Sequence, residues 1–397
     1  MLKNQILFFA LFFSILSAPV YSQKILTKIA DKTCDCINDK ISHYSGSKPE
    51  LFQSCLILTI KDNLKPLERE YGKNAFTDNK ENANKIGVEI GKILASKCKV
   101  FIDFYVDQAN EKSKKTDTIN VQAINKMNSG DFPEAIQLFN QVIEDQPNNY
   151  DAYNSRGYCY YYSGQLYRAI SDYIHATDIN PNFAKAYSNM ALAKYDLNDL
   201  SEALKDATQA VSLDSALAVA HNNRGLIYYK NERYDSAYID FSKAFLHDST
   251  SALYAYNAGL SLTEIDKDEQ AIPYFNKALE LNYVNAAIYN YLGIAQYRLN
   301  RYKESAESFT MCLAVDSMNA TYYENRGSCF EKLDDYEKAL LDFNNAIRLD
   351  SSNCKVFMKR GKVLLHLNKR KNACVDFNEA YALQCEEAKN LLEKNCK

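Results

Sequence analysis

Small and apolar positions recur along this chain with a period of 34 residues. Ala123, Gly157, Ala191, Gly225, Gly259, Gly293, Gly327 and Gly361 form one column, all glycine or alanine. Twelve residues further on, a second column reads Ala135, Ala169, Ala203, Ala237, Ala271, Ser305, Ala339 and Ala373. A third runs Val142, Ala176, Ala210, Ala244, Ala278, Cys312, Ala346 and Ala380. Between the last two lies an aromatic column, from Phe139 and Tyr173 to Phe343 and Phe377, broken only by Ala207. The period holds without insertion or deletion from Thr116 to Glu387, which makes eight units, each with two helical patterns and a short turn between them. Such periodicity predicts an all-α repeat array, whose units bury their apolar faces only against their neighbours.

The glycines carry this reading. Gly225 stands inside the helical stretch NNRGLIYYK with no turn residue near it. A glycine there costs roughly 1 kcal/mol relative to alanine, so close helix packing must offset it. Gly130 and Gly164 instead fall at the turn between the paired helices, where later units have Asn198, Asp266, Asn300, Asp334 and Asn368. Those residue types tolerate the left-handed conformation that ends a helix, and Glu232 is the poor fit. Pro147 and Pro181 close the first two units.

The columns resemble those of the tetratricopeptide repeat (TPR) family, which has small residues at the eighth, twentieth and twenty-seventh positions of its unit. The resemblance covers 116–387 and implies a right-handed superhelix of eight helix-turn-helix units. Two departures stand out. The fourth-position aromatic becomes His221 in one unit and Ala255 in another, and the closing proline survives in two units. The resemblance further implies a concave groove lined by the first helix of each unit, binding an extended polypeptide or a partner helix. Groove positions by this analogy are Asn189, Asn223, Asn257 and Asn325, with Asn154, Asn222 and Asn290 at the adjacent position. An asparagine offers an acceptor and two donors, so a ladder of them could grip a peptide backbone. Tyr158, Tyr161, Tyr195, Tyr229 and Tyr297 fall on the same face and offer apolar area with polar tips. The lysine and asparagine clamp by which some relatives hold acidic chaperone tails is missing, since Asn222 and Leu226, or Ser188 and Leu192, stand there. Lys355, Lys359 and Lys362 read as a solvated basic face.

Residues 23–115 lack the period and read as three helices, over 24–43, 49–71 and 80–110, separated by SGSKP and YGKNAFTDN. Cys34 and Cys36 lie on the first, Cys55 on the second and Cys98 on the third. Cysteines two apart on a helix point some 200° apart. The simplest arrangement therefore joins the first helix separately to the other two. Four thiolates could instead hold zinc, but no C-x-x-C spacing is present. At the other end, 388–397 reads as a capping helix, with Cys385–Cys396 as a plausible bridge near Cys354 and Cys374. Cys159, Cys312 and Cys329 fall in or beside packing columns and read as buried small residues.

The amino-terminal segment MLKNQILFFALFFSILSAPVYSQ has one lysine and an apolar run from Ile6 to Ala18, the pattern of a signal peptide over 1–22. That run is shorter than the roughly 17–25 residues that span a bilayer. The expectation is a protein exported to the periplasm or the extracellular space, with no stable membrane insertion after cleavage, where disulfides persist. A net charge of −3 gives no basic excess for nucleic acid. The five histidines are scattered, and no metal, phosphate-loop or nucleophile motif stands out, so no cofactor and no enzymatic activity is expected. The function expected is a scaffold for protein or peptide partners. The alternatives are a rigid spacer presenting the 23–115 domain, and a redox protein using Cys34 and Cys36.

Overall fold

The computed structural model describes residues 20–71 and 80–396, and no strand occurs among them. The expected leader lies outside the described residues as far as residue 19, as does most of the YGKNAFTDN break. Two compact units meet at Ile119 and Asn120.

In the first unit, five helices form where three are expected: α1 (Val20–Lys40), α2 (Lys48–Asp62), α3 (Leu64–Tyr71), α4 (Lys80–Lys97) and α5 (Lys99–Asn128). The second expected helix breaks at Asn63, whose amide side chain turns back to donate to the Thr59 carbonyl at 2.8 Å. The third is interrupted at Cys98. Beyond it α5 runs through the expected border at 115/116, because no glycine or proline between 99 and 128 stops it. A capping box starts α2: Ser47 accepts from the Glu50 N–H while Glu50 accepts from the Ser47 N–H. Leu26, Ile29, Ile37, Leu51, Phe52, Leu67, Ile90 and Leu94 make the core, around a buried Thr33–Thr59 hydroxyl bond of 2.6 Å. Bridges Cys34–Cys98 and Cys36–Cys55 join the first helix separately to the others, the arrangement that the opposed directions of Cys34 and Cys36 favour.

The second unit is a run of paired helices. Its A helices begin every 34 residues: α7 (Tyr150–Tyr162), α9 (Ala184–Asp196), α11 (Ala218–Lys230), α13 (Ala252–Glu264), α15 (Ala286–Arg298), α17 (Ala320–Lys332) and α19 (Cys354–His366). The end of α5 serves as the first A helix. The B helices are α6 (Phe132–Asp145), α8 (Leu166–Ile179), α10 (Leu200–Leu213), α12 (Tyr234–His247), α14 (Asp268–Glu280), α16 (Tyr302–Val315), α18 (Tyr336–Leu349) and α20 (Arg370–Ala382), and α21 (Glu387–Asn395) follows. Every A-to-B turn has its left-handed residue at the expected position, including Glu232 at φ 58°.

The glycine column is explained by one contact. A Cβ on Gly225 would stand 2.7 Å from the Phe241 ring, and one on Gly361 would run into the Phe377 ring. The other helical glycines of the array meet the aromatic of their own B helix in the same way. In the one unit without that ring, Ala207, the glycine is replaced too, by Ala191. The first repeat of the array has Ala123 in this column and Phe139 in the aromatic one, both fully buried.

The carboxy-terminal bridges are Cys354–Cys385 and Cys374–Cys396, not Cys385–Cys396. Each fastens α21, or the turn before it, to a helix of the last unit, and Cys385 and Cys396 lie at opposite ends of α21. Cys159, Cys312 and Cys329 are buried free thiols. Burial pushes them up to about 12, 12 and 11, the direction expected of packed thiols rather than reactive ones.

Candidate functional site

The asparagines that the period lines up are mostly engaged between helices. Asn189 Nδ2 donates to Asn154 Oδ1 at 2.9 Å. Asn223 Nδ2 donates to the Ser188 hydroxyl and carbonyl at 3.0 and 3.1 Å. Asn257 Nδ2 donates to Asn222 Oδ1 at 3.0 Å, and Asn222 also reaches Asn223. Each inter-helix pair spans 35 residues: a fifth position in one unit meets a sixth position in the next. Asn222, Asn223 and Asn257 are only 3–6% exposed. Buried amides need partners, and these tie one A helix to the next, while Asn154 and Asn189 remain half-exposed.

The tyrosines lie along a parallel row with the same offset. Tyr161 donates to Asp196 at 2.5 Å and Tyr229 to Glu264 at 3.1 Å, while the Lys230 ammonium sits 4.6 Å above the Tyr195 ring. Burial and the neighbouring carboxylate both push the Tyr161 and Tyr229 hydroxyls upward, so they act as donors. Tyr158 is more exposed and its ring lies tilted against Tyr162, with centroids 4.5 Å apart.

One rung is left open. Asn290 and Asn325 are the next asparagine pair in the series, yet the buried Asn290 Oδ1 has no partner among the described residues. Asn325 instead lines a cleft of about 340 Å³ with Ile294, Tyr297, Arg298, Phe309, Ser328 and Lys359. Arg298 is anchored there by the Thr263 carbonyl at 2.9 Å. Lys359 is held by Glu324 at 2.7 Å and Ser328 at 3.0 Å, so this lysine belongs to the seam rather than to a solvated face. The cleft combines an apolar wall with fixed donors and one free amide side chain.

A second column went unread in the sequence. Arg156, Arg224, Arg326 and Arg360 each form a two-point bond with an aspartate 16 residues on, Asp172, Asp240, Asp342 and Asp376, at 2.7–2.9 Å. Three of these arginines also reach back to the preceding B helix, at Asn140, Thr310 and Asn344. In the fourth, Asp240 is shared with His221 at 3.0 Å, whose other ring nitrogen faces the Ser215 carbonyl of the preceding unit. Burial opposes ionisation of Asp240, but the hydrogen bonds from Arg224 and His221 outweigh it and hold the carboxyl below its usual range. The same period that gave the glycines would have revealed this column. The offset of 35 had no such signal, because it arises only from how neighbouring helices lie against each other.

Among the described residues no group of histidine, cysteine or carboxylate side chains could hold a metal ion, and no helix is long and apolar enough to cross a membrane. The Tetratricopeptide repeat family models match residues 120–182, 188–248, 256–314 and 320–353. The chain belongs to the tetratricopeptide repeat family, a class of protein-interaction scaffolds that are generally not enzymes. No curated protein matches the chain. Among solved structures it is similar to YrrB, described as a TPR protein with an unusual peptide-binding site: 25% identity over 50% of this chain and 97% of that one, TM-score 0.44. It is also similar to the carboxy-terminal part of a TPR protein from Cytophaga hutchinsonii, at 19% identity over 60% and 98%, TM-score 0.47. For pilF of Pseudomonas aeruginosa the figures are 22%, 55% and 97%, TM-score 0.46.

Proposed function

We propose that the chain is an exported scaffold that holds an extended polypeptide or a partner helix in a concave groove of its A helices, centred on the cleft at Asn325. The observation that carries this reading is the open rung. Where three other joints close with an asparagine bond, Asn290 has an unpartnered oxygen and Asn325 a free amide, beside a cleft walled by Ile294 and Phe309. Tyr297 and Lys359 supply polar atoms around it. A backbone amide offers the donor and acceptor that Asn325 can pair. Export is supported by the leader pattern and by four disulfides, which persist in oxidising compartments.

A peptide selected on the intact protein from a random display library tests this. Its affinity should fall at least tenfold for Asn325→Ala and for Tyr297→Ala, with helicity and melting unchanged. An affinity unaltered by either variant would overturn the site and move the function to another surface. The spacer reading draws on the first unit, where Ile57 and Leu58 of α2 are 46% and 47% exposed. Selected peptides that bind residues 23–115 and ignore the array would favour it.

A further inference from the structure

We propose that α21 is a redox-held cap: a dithiol reductant opens the two carboxy-terminal bridges before the two amino-terminal ones, and α21 then leaves the apolar end of the array while the repeats stay folded.

The two pairs of bridges differ in exposure. In the amino-terminal pair, each bridge joins a half-buried cysteine, Cys34 or Cys36, to one out of solvent, Cys98 at 0% and Cys55 at 1%, so only one of its two sulfurs is open to attack. All four carboxy-terminal cysteines, Cys354, Cys374, Cys385 and Cys396, are only half-buried. Thiol–disulfide exchange requires a thiolate to approach a sulfur in line, so access sets which bridges open first.

Without its bridges, α21 has little to hold it. It is nine residues long, below the roughly 12–15 at which an isolated helix becomes even marginal in water. Only Ala388 is fully buried, and Leu391 and Leu392 are half-buried against Leu364 and Phe377. No side chain caps its start, and the residue before it is Glu386. The bridges act at both ends of this short element, through Cys385 just before it and Cys396 just after it. They also cross in sequence, so opening one leaves the other still holding the helix. The earlier repeats have no such dependence, since α21 enters only the buried clusters built on the last unit.

Reduction is balanced as two successive exchanges per bridge. A dithiol gives two electrons and two protons to one disulfide, yielding two cysteine thiols and the cyclic or paired disulfide of the reductant. The face uncovered includes Phe357, Met358 and Leu364, the position that a following A helix occupies in every earlier unit. Its chemistry suits an amphipathic helix, as α21 itself demonstrates.

The experiment is graded reduction of the full chain with dithiothreitol, followed by alkylation, peptide mapping and hydrogen exchange. Cys354, Cys374, Cys385 and Cys396 should be alkylated at reductant concentrations at least tenfold below those needed for Cys55 and Cys98. Amides of 386–396 should then exchange at least a hundredfold faster, with those of α7 to α18 unchanged. The Cys385→Ser/Cys396→Ser variant should show the same fast exchange without reductant, which separates release of α21 from loss of the amino-terminal bridges. Equal reducibility of all four bridges overturns the proposal. So does a fully reduced α21 that keeps its protection, or a double variant in which α7 to α18 also lose theirs.

Discussion

At the scale of the residue, the array rests on the pairing of a missing side chain with a ring. Gly225 makes room for Phe241, so Gly225→Ala should lower stability by about 1–3 kcal/mol by overpacking, although alanine is the better helix former. Phe241→Ala should cost about 3–5 kcal/mol through the cavity it leaves. The double variant should lose clearly less than the two together, because it recreates the Ala191 and Ala207 combination that one unit already uses. Urea unfolding of the three variants measures this, and simple additivity would refute the pairing. Glu232, at φ 58°, is the converse case. A left-handed non-glycine residue carries about 1–2 kcal/mol of strain, partly offset by the greater freedom of glycine when unfolded, so Glu232→Gly should gain roughly 1 kcal/mol. Both features were legible in the sequence, since each is a local demand repeated in a fixed frame.

At the scale of the element, helices are joined by charge pairs that burial makes strict. Asp240 is 1% exposed, and removing Arg224 would leave its carboxylate without its two-point partner. Arg224→Ala should therefore destabilise by about 3–5 kcal/mol, far more than a surface pair would. The pH dependence follows from the same bonds. The folded pKa of Asp240 lies below the unfolded value of about 3.9. Its contribution is therefore present above that pH and lost as the pH falls toward the lower, folded value. Thermal melts from pH 7 to 2 should show stability falling below about pH 4. In Arg224→Ala that loss should shrink, because the two-point bond that does most to depress Asp240 is gone and only the His221 bond remains. The arginine column could have been read from the 34-residue frame, yet its bonds could not: Met190 with Asp206 shows that an aspartate 16 residues on does not guarantee a pair. There Lys194 takes over at 2.6 Å, and burial still pushes Asp206 upward. The seam of asparagines was legible as a set of positions but not as a set of bonds, because an offset of one residue between neighbouring helices has no trace in a single unit.

At the scale of the whole molecule, the two units depend on covalent staples differently. The first has few core residues for its length, and each bridge should contribute roughly 2–4 kcal/mol by restricting its unfolded chain. Cys36→Ser/Cys55→Ser should therefore loosen residues 20–119 while the array keeps its melting temperature, which hydrogen exchange resolves by segment. That the first helix is joined separately to the other two followed from helix geometry, but which of Cys34 and Cys36 meets Cys98 and which meets Cys55 did not. At the other end four cysteines allow three pairings, and spacing could not choose among them without the path of the chain between α20 and α21.

The offset of 35 gives every unit an outgoing edge and an incoming edge. The outgoing fifth position is Asn154, Ser188, Asn222, Tyr256, Asn290 and then Glu324, each able to offer a hydrogen-bonding atom to a successor. In the last unit the same position is Met358, which is 5% exposed and has no such atom to give. The last unit therefore presents an apolar edge where most others present a polar one, and Ala388 of α21 shares a buried cluster with it.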